Sequence, residues 1–150
     1  MSDTFTNLLV HIVFSTKHRA PLIQEPLRER LYEYLGGILR QKGGILLEIG
    51  GMPDHVHLLA RIKADCSVAE IVGTIKSSSS KWVHPTFPQL EEFKWQAGYG
   101  AFSVSESQVS AVRRYIRNQA EHHARLSFKD ELIALLRKHR IEFEERYLLD

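Results

Sequence analysis

Two histidines separated by a single residue, His55 and His57, are the side chains of this sequence best suited to chemistry. Side chains alternate with a period of two through the segment 50–62, which predicts a strand with both imidazoles on one face. Val56, between them, belongs to the opposite, apolar face. Two imidazoles on one strand can bind the same divalent cation and leave coordination positions open for a substrate. The pair therefore predicts a metal site, although its spacing alone is not specific.

A tyrosine and a glutamine about sixty residues later could supply the remaining chemistry. The segment 105–124 has apolar residues at spacings of three and four, and it opens with the capping pattern Ser105-x-x-Gln108. Both features predict one amphipathic helix. Tyr115 and Gln119 would lie one turn apart on that helix. A phenol hydroxyl and an amide oxygen one turn apart can both reach the same site, where the hydroxyl could act as a nucleophile and the amide oxygen as a third metal ligand.

The length and composition of the chain limit the classes of protein to which it could belong. A chain of 150 residues with 43% hydrophobic content predicts one domain, residues 1–150, with one sizeable core. The formal net charge is only +2, so a surface for a polyanion must be local. No apolar segment approaches the roughly 20 residues that span a bilayer, and the N-terminal residues lack the features of a signal peptide. We therefore expect a cytoplasmic protein without a membrane partner, and the single cysteine, Cys66, excludes an internal disulfide framework.

The order of predicted elements is βαββαβ followed by C-terminal helices. The predicted strands are 8–15, 45–51, the histidine strand ending at 62, 93–97 and 101–104; the predicted helices are 24–42, one from 67 that Pro85–Pro88 breaks, 105–124, and 127 to about 140. This order is the split βαβ pattern, an α+β fold of the ferredoxin or RRM type with an antiparallel sheet. We expect the first and third strands at its centre and the crossover helices on one face. The tyrosine helix would then cover the other face and approach the histidines.

Four segments in this order resemble the TnpA-like HUH single-tyrosine transposases of small insertion sequences, the IS200/IS605 group, with the REP-associated tyrosine transposases as close relatives. The resemblance extends from about Leu8 to Tyr147. The segments that carry it are Pro53-Asp54-His55-Val56-His57-Leu58-Leu59, Lys76-Ser77-x-Ser79-Ser80-Lys81-Trp82, Trp95-Gln96-x-Gly98-Tyr99-Gly100-Ala101-Phe102-Ser103 and Tyr115-Ile116-x-Asn118-Gln119-x-x-His122-His123.

The resemblance implies a DNA transposase that cleaves and rejoins single-stranded DNA at insertion-sequence ends. It implies that His55, His57 and Gln119 bind Mg²⁺ or Mn²⁺, without a nucleotide cofactor, and that Tyr115 forms a 5′-phosphotyrosine intermediate. The implied partners are single-stranded DNA with hairpin ends and a second copy of the chain. In that homodimer each tyrosine helix would serve the partner's site.

Several alternatives stay open from the residues themselves. A rival third ligand could come from His11, His122 or His123. The residues that could contact phosphates are Lys17, Arg19, Lys76, Lys81, Arg113, Arg114 and Arg117, and those that could stack on unpaired bases are Trp82, Trp95 and Tyr99. The alternative functions are a REP-associated or replication-initiator-like HUH nickase and a non-catalytic nucleic-acid-binding module. The histidine face offers no aromatic pair, which disfavours the binding module.

Overall fold

A four-stranded antiparallel sheet organises the chain in the computed structural model, which describes residues 3–148. The strands are β1 (Leu8–Ser15), β2 (Ile45–Met52), β3 (His55–Ile62) and β4 (Gly100–Val104). Their order across the sheet is β2-β3-β1-β4, so the first and third strands are central, as the predicted split βαβ pattern requires. β2 and β3 form a hairpin through Pro53 and Asp54, and the register pairs Met52 with His55 and Gly50 with His57.

The two crossover helices, α1 (Leu27–Gln41) and α2 (Val68–Thr86), cover one face of the sheet. The alternation of β1 and β3 explains this face, because every second residue of each strand is apolar and all of them except Leu8 and Val10 are buried there. Ser67 caps α2 by accepting a hydrogen bond from the backbone N–H of Glu70 at 3.1 Å, as its capping box predicts. The strand residues of this core are Ile12, Phe14, Val56, Leu58, Ala60 and Ile62.

Three C-terminal helices lie over the opposite face: α3 (Val109–Arg117), α4 (Gln119–His123) and α5 (Phe128–Lys138). A second apolar cluster joins α5 to the sheet and contains Val13, Phe102, Phe128, Leu132 and Leu136. α3 crosses β2 at Gly50, where a Cβ atom would lie only 2.4 Å from the carbonyl oxygen of Ile116. Glycine at this position therefore lets the helix approach the strand closely.

The segment 105–124 is not the single helix that its periodicity predicts. It consists of a 3₁₀ turn (Glu106–Gln108) followed by α3 and α4, which are separated at Asn118. Ile116 packs on the sheet and Gln119 is buried in the site, at 0% and 1% exposure. These two side chains, three residues apart, face different surroundings, and the bend at Asn118 allows both of them to be buried. Val109 and Val112, which with Ile116 form the apolar stripe of this segment, are half-buried.

Two other boundaries differ from the prediction. The segment 93–97 is not a strand, because it makes only one bridge in the described structure, between Thr16 and Trp95. The chain then turns beneath Lys76, whose ammonium group donates hydrogen bonds to the carbonyl oxygens of Gln96 and Gly98. Pro85 does not break α2, which continues to Thr86 because a proline in the last turn costs few hydrogen bonds. Within residues 3–148, no helix has both the length and the apolar character needed to cross a membrane.

Candidate active site and metal centre

His55 and His57 lie at the start of the central strand β3, on the face covered by α3, α4 and α5. Both side chains are fully buried, at 0% exposure. Pairing with β1 places His55 opposite Ser15 and His57 opposite Val13. The predicted alternation is confirmed, since Val56 faces the other core.

The outer ring nitrogens of three histidines are tied to neighbours. His55 Nδ1 donates to the Asp54 carboxylate at 2.7 Å, and His57 Nδ1 pairs with His11 Nε2 at 2.8 Å. His123, in α4, donates from Nδ1 to the carbonyl oxygen of Leu126 at 2.6 Å. These contacts orient each ring so that its Nε2 faces the interior of the site. Such outer contacts are typical of imidazoles that bind a metal.

A buried carboxylate, Glu131 of α5, occupies the point at which the three Nε2 atoms converge. Its Oε1 lies 2.9 Å from His57 Nε2, 3.1 Å from His123 Nε2 and 3.4 Å from His55 Nε2. The sequence contained a signal for this residue. Glu131 falls on the apolar stripe of α5, between Phe128 and Leu132, and an acid on a buried stripe needs buried partners.

Tyr115 and Gln119 meet at the second oxygen of the same carboxylate. The Tyr115 hydroxyl donates to Glu131 Oε2, and the Gln119 amide donates to it at 3.0 Å. The Gln119 carbonyl oxygen faces the Nε2 atoms of His55 and His123, at 3.0 Å from each. The structure thus brings together the four residues expected from the sequence, although Tyr115 and Gln119 lie on two helices rather than one.

The three rival histidines occupy different positions. His123 belongs to the cluster itself, whereas His11 lies behind His57, where it stacks on the His57 ring and pairs with its outer nitrogen. His122 approaches Glu131 Oε2 from the solvent side at 3.4 Å. Among the described residues, one ligand atom from each of His55, His57, His123 and Glu131 lies within 4.8 Å of the others, a spacing that can hold a metal ion.

Burial and mutual contact shift the pKa values of these groups. Burial alone would raise the pKa of Glu131, but hydrogen bonds from His123, His55 and His57 outweigh it and hold this pKa far below its usual range. Burial opposes the charged form of His55, yet its bonds to Asp54, Glu131 and Gln119 raise its pKa to about 9. Burial lowers the pKa of His11 to about 3. Burial and the Glu131 charge raise the pKa of Tyr115.

The predicted phosphate-contacting cations differ in their surroundings. Lys17 and Arg19 are exposed in a 3₁₀ turn (Lys17–Arg19) after β1. Arg113 and Arg117 of α3 both pair with Glu48 of β2, at 3.1 and 3.2 Å, which ties the tyrosine helix to the sheet.

The two lysines of α2 lie on the helix that covers the other face of the sheet. Lys76 is half-buried, and its bonds to the carbonyl oxygens of residues 96–98 hold the loop that follows Trp95. Burial lowers its pKa to about 8. Lys81 is exposed.

Of the three predicted stacking aromatics, one belongs to the core and one is half-buried against it. Trp95 is buried and donates from its indole N–H to the Ser79 hydroxyl at 2.9 Å. Trp82 stacks on Tyr34 with ring centres 4.6 Å apart. Tyr99, with 41% of its surface exposed, is the member of this set that a base could reach.

Tyr115 lines two cavities. The larger is an open groove of about 820 Å³, and its charged or ionisable lining residues besides Tyr115 are Arg114, Glu121, His122 and Arg125. The smaller, about 620 Å³, lies between β4, α3 and α5. Two exposed cations and one acid therefore line the groove beside Tyr115, which leaves a small positive charge that favours a polyanion.

A split βαβ sheet with two histidines on a central strand, faced by a tyrosine from a following helix, defines the HUH single-tyrosine class of DNA-processing enzymes. The family described as "Transposase IS200 like" matches residues 4–119, most of the chain. The chain therefore belongs to this transposase family, as the sequence motifs indicate.

Individual relatives agree with this assignment. The chain is 27% identical over 114 residues to the ISDra2 transposase TnpA of Deinococcus radiodurans, covering 73% of this chain and 81% of that protein. It is 28% identical over 127 residues to the transposase for insertion sequence element IS200 of Salmonella typhimurium, covering 81% and 82%.

Solved structures share the fold. A candidate transposase from Deinococcus radiodurans R1 superimposes with a TM-score of 0.66 at 27% identity, over 79% of this chain and 95% of that one. A REP-associated tyrosine transposase bound to a REP hairpin superimposes with a TM-score of 0.62 at 14% identity, over 84% and 76%.

Proposed function

We propose that this chain cleaves and rejoins single-stranded DNA at the ends of an insertion sequence, with Tyr115 as the nucleophile. One observation carries the assignment of roles. In a member of a transposase family, the Tyr115 hydroxyl and the strand histidines His55 and His57 meet at one buried carboxylate. The reacting hydroxyl and the candidate metal ligands are therefore in one place.

The proposed reaction exchanges one phosphodiester for another. The Tyr115 oxygen bonds to phosphorus, and the bond from phosphorus to the 3′ oxygen breaks. The phenolic proton is lost and the departing oxygen gains one, so the first product is a 3′-hydroxyl and a 5′-phosphotyrosine link. A second 3′-hydroxyl attacks that link, forms the new phosphodiester and releases the tyrosine. Because bond energy is conserved, the reaction needs no nucleotide cofactor.

The residues present fit a divalent cation. The converging Nε2 atoms, each with its outer nitrogen tied to a neighbour, form a donor set of the kind that metals occupy in proteins. In this proposal His55, His57 and the amide oxygen of Gln119 would hold the ion, which would supply Lewis-acid polarisation of a phosphate oxygen. Mg²⁺ and Mn²⁺ are the candidate ions, and the imidazole donors favour Mn²⁺.

The proposed substrate is DNA with hairpin ends, on which a homodimer acts in the cytoplasm. The structure of a relative bound to a REP hairpin supports the DNA partner, and the resemblance to the family supports the dimer. The exposed Arg114 and Arg125, which line the groove beside Tyr115, support an approach of the single strand along that groove. Lys17 and Arg19 are further candidates for phosphate contacts because both are exposed.

The test uses Tyr115→Phe, which removes one oxygen, and Tyr147→Phe as the matched control, because Tyr147 is 58% exposed in a separate 3₁₀ turn (Glu145–Tyr147). Each protein is incubated with a labelled hairpin oligonucleotide from the ends of the element and Mn²⁺ or Mg²⁺. Denaturing gels then report the covalent adduct, and native gels report binding.

We expect the wild type and Tyr147→Phe to form the adduct. Tyr115→Phe should form none while its hairpin affinity stays within a few-fold. Adduct formation by Tyr115→Phe would exclude Tyr115 as the nucleophile. Hairpin binding by the wild type without any adduct would instead support the non-catalytic binding module.

A further inference from the structure

Glu131 is an ionisable residue at the centre of the site that the proposed reaction does not use. It lies on α5, beyond residues 4–119, which the transposase family matches. Its side chain is 1% exposed. A buried carboxylate loses several kcal/mol of hydration, so it needs strong compensating partners. The partners found here are the candidate metal ligands and the candidate nucleophile.

The two carboxylate oxygens of Glu131 face different groups. Oε1 faces the Nε2 atoms of His57 and His123, at 2.9 and 3.1 Å. Oε2 accepts hydrogen bonds from the Tyr115 hydroxyl and from the Gln119 amide. One carboxylate thus bridges the histidine cluster and the tyrosine, and its helix is anchored by Phe128 and Leu132 in the second apolar cluster.

We propose that Glu131 is a ligand of the catalytic metal through Oε1 and the residue that positions the Tyr115 hydroxyl through Oε2. Added to the imidazoles of His55 and His57 and the amide oxygen of Gln119, this carboxylate would complete a nitrogen and oxygen donor set that suits Mn²⁺. The hydrogen bond from Tyr115 to a metal-bound carboxylate would aim the phenol oxygen at the phosphate beside the ion. The positioning role rests on the proposed function of Tyr115, whereas the ligand role does not depend on it.

The geometry permits one competing role for the same carboxylate. Glu131 could act only as a counter-ion that occupies the place of the cation and must move out when metal binds. The two roles give opposite effects on metal affinity. Removing a ligand weakens metal binding, whereas removing a competing counter-ion strengthens it or leaves it unchanged.

The experiment titrates the purified chain with Mn²⁺ and follows the six-line electron paramagnetic resonance signal of the free ion, without DNA. Glu131→Gln keeps the shape of the side chain and removes its charge. Asp130→Asn is the matched control, because Asp130 is the preceding residue of α5 and is exposed. Circular dichroism checks the folding of both variants.

We expect Glu131→Gln to weaken Mn²⁺ binding at least about tenfold, the lower range for losing a group that supports a metal site. Asp130→Asn should bind Mn²⁺ like the wild type. Equal or tighter binding by Glu131→Gln overturns the ligand role. If Glu131→Gln does not fold, Glu131→Asp decides, since its shorter carboxylate should bind Mn²⁺ several-fold more weakly and wild-type affinity would overturn the proposal.

A second measurement, at saturating Mn²⁺, isolates the positioning of Tyr115. The expected result for Glu131→Gln is a fall in kcat for hairpin cleavage of at least about tenfold with KM little changed, and partial recovery in Glu131→Asp. A wild-type kcat for Glu131→Gln refutes the positioning role. A failure of the proposed function is recognised separately, because the wild type would then form no adduct while the Mn²⁺ titrations still report on the ligand role.

Discussion

Replacing Gly50 by alanine tests whether α3 must lie directly on β2 for Tyr115 to reach its place. A Cβ atom at Gly50 would lie 2.4 Å from the carbonyl oxygen of Ile116 and 3.1 Å from its side chain. Ordinary van der Waals contact begins near 3.4 Å. The first of these contacts is with backbone, which cannot rotate away, so α3 must move outward by about 1 Å.

That displacement should lower both the stability of the protein and the rate of adduct formation. Extra volume in a packed interface costs about 1–3 kcal/mol of unfolding free energy. For a chain of this size each kcal/mol lowers Tm by about 2–4 °C, so we expect Tm to fall by roughly 2–12 °C. Tyr115 precedes Ile116 and moves with it, and a misplacement of about 1 Å costs a reaction on the order of a hundredfold. Adduct formation should therefore fall about a hundredfold in protein that is still folded.

Gly73→Ala is the control for this prediction. Gly73 lies in α2, and a Cβ atom there would meet no heavy atom within 4 Å. Alanine should stabilise that helix by about 0.5–1 kcal/mol without altering adduct formation. Thermal melts by circular dichroism and the denaturing-gel assay are run on both variants in parallel. If Gly50→Ala melts and reacts like Gly73→Ala, the close packing of α3 on β2 is not what positions the tyrosine.

Two further predictions concern protons and assembly. Since the folded pKa of His55 is raised from 6.5 to about 9, its protonation stabilises the metal-free protein fully below pH 6.5, and this contribution is lost as the pH rises through 9. A metal must displace that proton, so Mn²⁺ affinity should rise by up to about tenfold per pH unit over the same window, and a flat pH profile in the Mn²⁺ titration would contradict this. In a mixture of Tyr115→Phe and His57→Ala proteins we expect no cleavage, because Tyr115 contacts Glu131 beside the histidines of its own chain. Recovered cleavage would demonstrate the exchanged, composite sites that the family resemblance implies.

Some short-range patterns of the sequence were reliable, whereas the capping pattern at Ser105 was not, because the Ser105 side chain makes no capping hydrogen bond and α3 begins only at Val109. The alternation around His55 and His57 placed both on one face, and the capping box at Ser67 marked the start of α2. The prediction of one continuous helix over 105–124 was wrong. Its periodicity is helical, but Ile116 packs on a strand while Gln119 is buried in a polar site. These two surroundings exist only in the folded protein, so the sequence pattern could not reveal the bend between them.

The tryptophans of the family motifs also show what the sequence could not predict. Trp82 and Trp95 belong to segments that resemble the family, and the sequence offered both as surfaces on which bases could stack. Trp95 instead packs in the core with its indole N–H bound to Ser79, and Trp82 stacks on Tyr34. A side chain's type and spacing do not reveal which neighbour covers it, so the contacts of these two rings followed from tertiary packing.

What the sequence determined by itself is the list of reactive groups, the strand that holds two of them and the split βαβ order of elements, because all three depend on residues near one another in the chain. Tertiary structure alone decided which distant groups complete the site. Glu131 reaches both His57 and His123 because α5 packs on the sheet through Phe128, Leu132 and Leu136. No local pattern records that closure, since it results from apolar surface on two separated segments being removed from water together.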